Sequence, residues 1–327
     1  MRSQRPRIGV TLGDPRGIGP EIVEACLRDA GLAETAAFTL FGPEGLVDHP
    51  GTAHRVTGAW DVDSPGPAKE AGRVAGAAIE AAVDAAMEGL VDGIVTAPVA
   101  KEALRAAGYP QPGHTELLRD RTGVEDVTMM MTAESTPVGG ALRLALLTVH
   151  VPIREVPDLL TGDLVVRRSA IAVSALRGWW GLERPRLAFA GLNPHASEGG
   201  LFGDEEARIL EPATRRLARE ASIDVPVVLP ADTVFRKCLE GEVDAVVVPY
   251  HDVGLAVLKT LALERGVNVT AGLPFPRTSP DHGTAFDIAG RGVADPGSMR
   301  AAVELCVEFC RRAAGPDGGV SRGRAAP

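Results

Sequence analysis

The stretch "DAVVVPYHDVGLAVLK" (Asp244–Lys259) decides how the chain is read. Val246, Val247 and Val248 make a short apolar, β-branched run of the kind a buried strand uses. His251 and Asp252 follow at once after Pro249 and Tyr250, and Gly254 reads as a break. An imidazole beside a carboxylate where a buried strand stops has two readings. One is a loop that happens to carry two polar residues. The other is one wall of a reaction site.

The flanking sequence repeats the strand. "RIGVTL" (Arg7–Leu12), "AAFTLFG" (Ala36–Gly42), "DGIVTAP" (Asp92–Pro98), "DVTMMMTA" (Asp126–Ala133), "LRLALLTV" (Leu142–Val149), "RPRLAFAGL" (Arg184–Leu192) and "DVPVVLP" (Asp224–Pro230) are all short apolar runs. Helical stretches lie between several of them. One opens at Pro20, a favoured first-turn residue. Another is the Ala-rich Ala68–Leu90, and others span Asp204–Glu220 and Pro296–Arg312. Such alternation predicts an α/β fold with a largely parallel sheet. No internal repeat interrupts it. The tail from Ala313 to Pro327 is rich in Gly and Pro and is expected to be flexible.

Composition narrows the function. The 327 residues are 45% hydrophobic and 24% charged, with a net charge of -9. That balance suits a globular protein with a substantial core. An acidic chain without a basic run excludes a nucleic-acid surface, and no uncharged apolar run is long enough to span a membrane. The basic N-terminus leads into a strand and a glycine turn, not a signal peptide, so a cytoplasmic protein is expected. The four cysteines form no CxxC pair; Cys306 and Cys310 fall on one helix face as core residues.

Three of the seven histidines stand just past an apolar strand: His150, His195 and His251. In open α/β sheets ligands bind beyond the carboxyl ends of the strands. Three imidazoles there could converge on one cation, although three unrelated loop histidines would give the same spacing. Asp204, Glu205 and Glu206 suit a helix start, where carboxylates complement the dipole. Lys259, Asn268 and Arg277 fall within 19 residues on a glycine-punctuated stretch that reads as a turn or loop. They are an anion clamp or a solvated loop; Arg can grip a phosphate bidentately. "GDPRGIGPE" (Gly13–Glu21) fits neither the dinucleotide fingerprint nor a P-loop.

The blocks "TLGDPRGIGPEI", "TAPVAKEAL", "PGHTELL", "LNPHASEGGLFGDEE", "LPADTVF", "PYHDVGLAVLK" and "GVNVTAGLPFPRTSPDHGTAFDIAGRGVAD" resemble the 4-hydroxythreonine-4-phosphate dehydrogenase family of vitamin B6 synthesis. The match is collinear from Ile8 to Met299. The resemblance implies a two-lobed α/β/α subunit of the isocitrate/isopropylmalate dehydrogenase type, with its site in the inter-lobe cleft. One lobe would comprise residues 1–130 with about 290–315, the other residues 131–289, with 316–327 a flexible tail. It also implies a homodimer with shared sites. His150 and His195 would hold one divalent cation (Zn, Mg or Co) with His251 of the partner subunit. His114 and Thr115 would contact substrate; Lys259, Asn268 and Arg277 would bind its phosphate-bearing side. Asp232 and Asp252 would lie near the metal and the reacting hydroxyl.

The implied reaction is oxidation of the C3 hydroxyl of 4-phosphohydroxy-L-threonine by NAD or NADP, then loss of CO2 to give 3-amino-2-oxopropyl phosphate. Asp232, Asp252 and Lys101 are the candidate bases. Three positions depart from the family pattern: Val253 stands for the usual Gln, Ala100 for Asn or His, and Ser197 for a common Gly. They bear on the substrate. The same family holds dehydrogenases of 4-phospho-D-threonate and D-erythronate 4-phosphate. It also holds a branch for dihydrodiol dicarboxylates, which lacks the "GHTE" and "RTS" residues kept here. Three histidines and a nearby Asp would also suit a metal-dependent hydrolase or aldolase, whereas all three histidines together with Lys259 and Arg277 argue against a catalytically silent binding protein.

Overall fold

The computed structural model describes residues 5–47, 49, 52–61, 63, 66–111 and 113–314; the expected tail 316–327 lies outside them. Eleven strands are formed by these residues: β1 (Arg7–Thr11), β2 (Ala37–Gly42), β3 (Ala53–Val56), β4 (Gly93–Thr96), β5 (Thr128–Ala133), β6 (Leu142–Leu146), β7 (Leu187–Ala190), β8 (Val227–Leu229), β9 (Ala245–Val248), β10 (Val267–Ala271) and β11 (Arg277–Pro280). The chain divides into two compact units. Of the described residues, those up to 125 and those from 273 to 314 belong to the first, and residues 126–272 to the second. The sequence reading drew these divisions at 130/131 and about 289/290. They fall earlier because β5 opens with the second unit, and because β11 hydrogen-bonds to β4 in parallel within the first.

In the first unit the strands run β3-β2-β1-β4-β11, all parallel. Parallel strands are covered on both faces and read as continuous apolar runs. Ile8, Val10, Ile94 and Val95 are accordingly buried. The helix Ala68–Met87 packs on the helix Lys101–Ala106 so closely that only glycine fits at Gly72: a Cβ there would lie 1.9 Å from the Ala103 carbonyl oxygen.

In the second unit the order is β10-β5-β6-β9-β7-β8. The β10-β5 and β5-β6 pairs are antiparallel and the rest parallel. All four residues of β9 are buried, as its valines predicted. Gly254 is not a break. It lies inside the helix His251–Ala262, and a Cβ there would come within 3.1 Å of Leu144 and 3.2 Å of Val248. The glycine lets this helix seat on β6 and β9, where Leu255 and Leu258 join the core. Glu134 ties several elements of this unit together. It accepts from Arg143, from Thr132 Oγ1 (2.6 Å) and from Trp180 Nε1 (2.8 Å).

The stretch expected to be a loop around Asn268 and Arg277 is two strands, β10 and β11. Val267, Val269 and the threonines supply β-branched residues, and Gly266 and Gly272 flank β10. All four cysteines are free and buried. Among the described residues no helix is long and apolar enough to cross a membrane.

Candidate active site

The candidate residues fall into two sets, one in each unit. The second unit holds the histidines. The loops that end β6 and β9 are tied by Leu147 N–H to the Val248 carbonyl (3.0 Å) and Thr148 Oγ1 to the Pro249 carbonyl (2.8 Å). That coupling brings His150 beside His251, with ring centroids 5.3 Å apart. His251 is the first residue of its helix, not a loop residue, and its Nδ1 lies 2.6 Å from Asp252 Oδ1. With Nδ1 engaged by Asp252, Nε2 is the ring nitrogen left for a ligand. Asp232 is exposed in the turn that follows β8.

His195 sits on an unusual backbone. His195, Ala196, Ser197 and Glu198 have φ of 52°, 52°, 71° and 43°, and Gly199 and Gly200 continue the left-handed run. Each non-glycine residue in that region costs about 1–2 kcal/mol, so the four cost about 4–8 kcal/mol together. The neighbours must offset that cost. Glu206 is one of them, 2% exposed. Its Oε1 accepts from Asn193 N–H (2.7 Å), and its Oε2 accepts from Asn193 Nδ2 (2.9 Å) and from Ser197 Oγ. Glu205 accepts from the same Asn193 amide (2.7 Å). Desolvation raises the Glu206 pKa, but the Asn193 and Ser197 donors outweigh it and hold the carboxyl below its usual range. Reading Glu206 as a dipole-complementing acid was therefore incomplete: it faces back into the loop. His195 has Phe202 as its ring neighbour, at 6.3 Å. Among the described residues no three His, Cys, Asp or Glu side chains of one chain gather as a metal site; one chain brings together His150 and His251.

The first unit holds a cationic set. Arg277 on β11 is 2% exposed and donates to Thr96 Oγ1 on β4 through Nε (3.2 Å) and Nη2 (2.5 Å). Burial pulls its pKa down to about 10. His114 opens the helix His114–Thr122, and Thr115 follows it. The His114 Nε2 is buried with no hydrogen-bond partner among the described residues. Burial, then the charges of Arg277 and Lys101, push its pKa down to about 3. Lys101 begins the helix Lys101–Ala106, and its Cε would lie 3.4 Å from a Cβ on Gly113. Two cations and a neutral imidazole with a vacant nitrogen suit an anionic ligand. Thr96 was not singled out from the sequence; only the β4–β11 pairing reveals it.

Asn268 and Lys259 lie apart from Arg277 in secondary structure, on β10 and on the helix His251–Ala262. The Asn268 Oδ1 is buried without a hydrogen-bond partner among the described residues. The turn Gly13–Ile18 is tied down within the first unit. Arg16 holds buried Asp14 (2.8 Å) and lies 4.9 Å over the Phe286 ring, and Ile18 N–H donates to the Thr284 carbonyl (2.9 Å).

A family model described as pyridoxal phosphate biosynthetic protein PdxA matches residues 41–306. The chain belongs to this family. The 4-hydroxythreonine-4-phosphate dehydrogenase of Desulfosudis oleivorans is 41% identical over 330 residues, covering 93% of this chain and 96% of its own. The crystal structure of the Klebsiella pneumoniae 4-hydroxythreonine-4-phosphate dehydrogenase matches with a TM-score of 0.81 and 38% identity, over 93% of this chain and 99% of that one. A terephthalate 1,2-cis-dihydrodiol dehydrogenase from Burkholderia xenovorans is further away, at 29% identity and a TM-score of 0.63, over 93% and 98%. Isocitrate dehydrogenase from Methylococcus capsulatus shares the fold alone, at 16% identity and a TM-score of 0.53. The fold is the α/β type of the isocitrate dehydrogenases, as the sequence resemblance implied.

Proposed function

We propose that the chain is a 4-hydroxythreonine-4-phosphate dehydrogenase of pyridoxal phosphate synthesis, working in the cytoplasm as a homodimer. The observation that carries the substrate class is the cationic set of Arg277, Lys101 and neutral His114. A buried guanidinium held by Thr96 is a fixed cation of the kind a phosphate pairs with, and the neutral imidazole donates or accepts without adding charge. Thr115, Lys259 and Asn268 complete the substrate-binding set. The vacant Asn268 Oδ1 is an acceptor that a substrate hydroxyl or ammonium would satisfy.

His150 and His195 would hold the divalent cation with His251 of the partner subunit; the same chain's His251, with its ring 5.3 Å from that of His150, is the second reading, which subunit exchange tests. An imidazole donor set suits Zn or Co better than Mg. The Asp252 carboxylate on His251 Nδ1 is the kind of outer contact that orients a metal-bound imidazole. When bound, the cation supplies positive charge that acidifies a nearby hydroxyl, and the nicotinamide of NAD or NADP supplies the hydride acceptor. The chain's own residues orient the C3–H and take the hydroxyl proton. Asp252, Asp232 and Lys101 are the bases within the proposed set; Asp252 also has the orienting task. Loss of CO2 from the resulting β-keto acid gives 3-amino-2-oxopropyl phosphate.

A substrate panel tests this reading. 4-Phosphohydroxy-L-threonine should give the highest kcat/KM, above 4-phospho-D-threonate, D-erythronate 4-phosphate and a dihydrodiol dicarboxylate, each assayed with NAD and with NADP. The match to the terephthalate dihydrodiol enzyme makes the last arm the informative rival. A dicarboxylate turned over faster than every phosphorylated acid would overturn the proposal.

A further inference from the structure

We propose that Glu206 is the positioning residue for His195, acting as a buried clasp that holds the left-handed turn Pro194–Gly200 through Asn193 and Ser197. The inference rests on the reading of His195 as a metal ligand. It goes beyond that reading by assigning the group that fixes the ligand's backbone.

Three observations carry it. The turn places four consecutive non-glycine residues, His195 to Glu198, at positive φ, a conformation that persists only where surroundings enforce it. Glu206 spans the turn's two ends. One oxygen takes the Asn193 N–H just before the turn, and the other takes the Ser197 hydroxyl in its middle. Glu206 also opens a π-helical turn, Glu206–Leu210, the local widening that often marks functional positions in helices. The carboxylate is buried, and the Asn193 N–H and Nδ2 groups that meet its two oxygens can only donate, so an ionised acceptor-only group suits them. Ser197 is particular to this arrangement. A glycine at that position would adopt its φ of 71° without strain but could not reach Glu206. Serine therefore exchanges backbone ease for a bond to the clasp.

The test uses the full chain, freed of metal by chelation, as wild type and as Glu206→Gln, Ser197→Ala, Ser197→Gly and His195→Ala. Thermal unfolding checks that each folds. Two quantities are read: Co(II) affinity and ligand-field spectrum on titration with Co(II) alone, and amide exchange of residues 195–200 without metal. Glutamine keeps the size of Glu206 but turns an N–H2 toward existing donors. Glu206→Gln should weaken Co(II) binding by roughly 10–100-fold, the usual effect of losing an outer-shell partner. It should also shift the Co(II) band and speed exchange across the turn. Ser197→Ala should act in the same direction by less. Ser197→Gly loses the same bond but relieves strain, so it should fall between Ser197→Ala and wild type.

Wild-type exchange at residues 195–200 in both Glu206→Gln and Ser197→Ala would overturn the proposal. So would exchange that rises evenly through the whole chain while the Co(II) spectrum stays as in wild type, because that is general loosening. His195→Ala separates the two layers of the argument. If it binds Co(II) as tightly as wild type, the ligand reading itself has failed, whereas the exchange measurement judges the clasp without any metal.

Discussion

Replacing Arg277 by methionine separates recognition from stability. The guanidinium is buried, and its pKa falls from 12.5 to about 10 through desolvation. At about 1.36 kcal/mol per pH unit, keeping that charge inside the first unit costs roughly 3 kcal/mol. Methionine removes the cost and keeps most of the apolar stem. It also deletes both N–H contacts to Thr96 Oγ1, and a buried hydroxyl left without its donors costs about 1–3 kcal/mol. The two effects oppose each other, so stability should change by less than about 2 kcal/mol. Recognition has no such offset. A hydrogen bond to a charged group is worth about 1.5–3 kcal/mol, or roughly 10- to 150-fold in kcat/KM. The assay is formation of reduced nicotinamide with phosphorylated and unphosphorylated forms of one hydroxy acid, alongside denaturant unfolding. The loss should appear only with the phosphorylated form, and Co(II) affinity should stay as in wild type. An equal loss with both forms, or unfolding weakened by well over 2 kcal/mol, would show that Arg277 serves the fold and would refute the phosphate assignment.

His114 is held to a pKa of about 3 against 6.5 when free, so the unfolded chain binds a proton there that the folded chain refuses. Its contribution to stability is complete above pH 6.5 and declines as pH falls below it, by up to about 2 kcal/mol at pH 5. A His114→Gln chain should show a flatter stability profile over that range, and identical slopes would contradict the burial argument. A His150→Ala chain and a His251→Ala chain should each be inactive alone but recover activity after subunit exchange, because one site of the mixed dimer keeps every histidine. No recovery after demonstrated exchange would place His251 in its own subunit's site. Gly72→Ala should destabilise the first unit by about 3 kcal/mol through overpacking against Ala103; a midpoint unchanged in urea would mean the two helices part at little cost.

Much of the fold was legible because apolar runs such as Val246–Val248 and Leu142–Leu146 have no other use than buried strands. The strand-end position of His150, His195 and His251 was legible for the same reason. Short-range punctuation misled where tertiary contact decides the outcome. Gly254 reads as a break, yet close approach to Leu144 and Val248 makes it the residue that lets a helix form there. Gly266 and Gly272 suggested a loop, yet they mark the ends of a strand whose partner lies over a hundred residues earlier. The left-handed turn at His195 was not legible at all. Serine, alanine and glutamate are poor signals for positive φ, and Glu206 becomes a clasp only once Asn193 is folded onto it. Thr96 was silent because a threonine in a strand ordinarily signals β propensity alone.

The first unit is interrupted in sequence by the whole of the second, and this has a consequence for synthesis. Residues 126–272 leave the ribosome as one uninterrupted unit, whereas β4 waits for β11 to pair beside it. Domains generally fold in the order they emerge, but here the unit begun first is the one finished last. At about 5–20 residues per second, the segment from Leu273 to the end of the last helix takes about 2–8 s to appear. Through that interval β4 presents an unpaired parallel edge, the kind that invites pairing with another chain. Nascent chains of this protein should therefore be most vulnerable to aggregation late in translation, and a stop codon near residue 272 should yield a product whose larger defect lies in its N-terminal half.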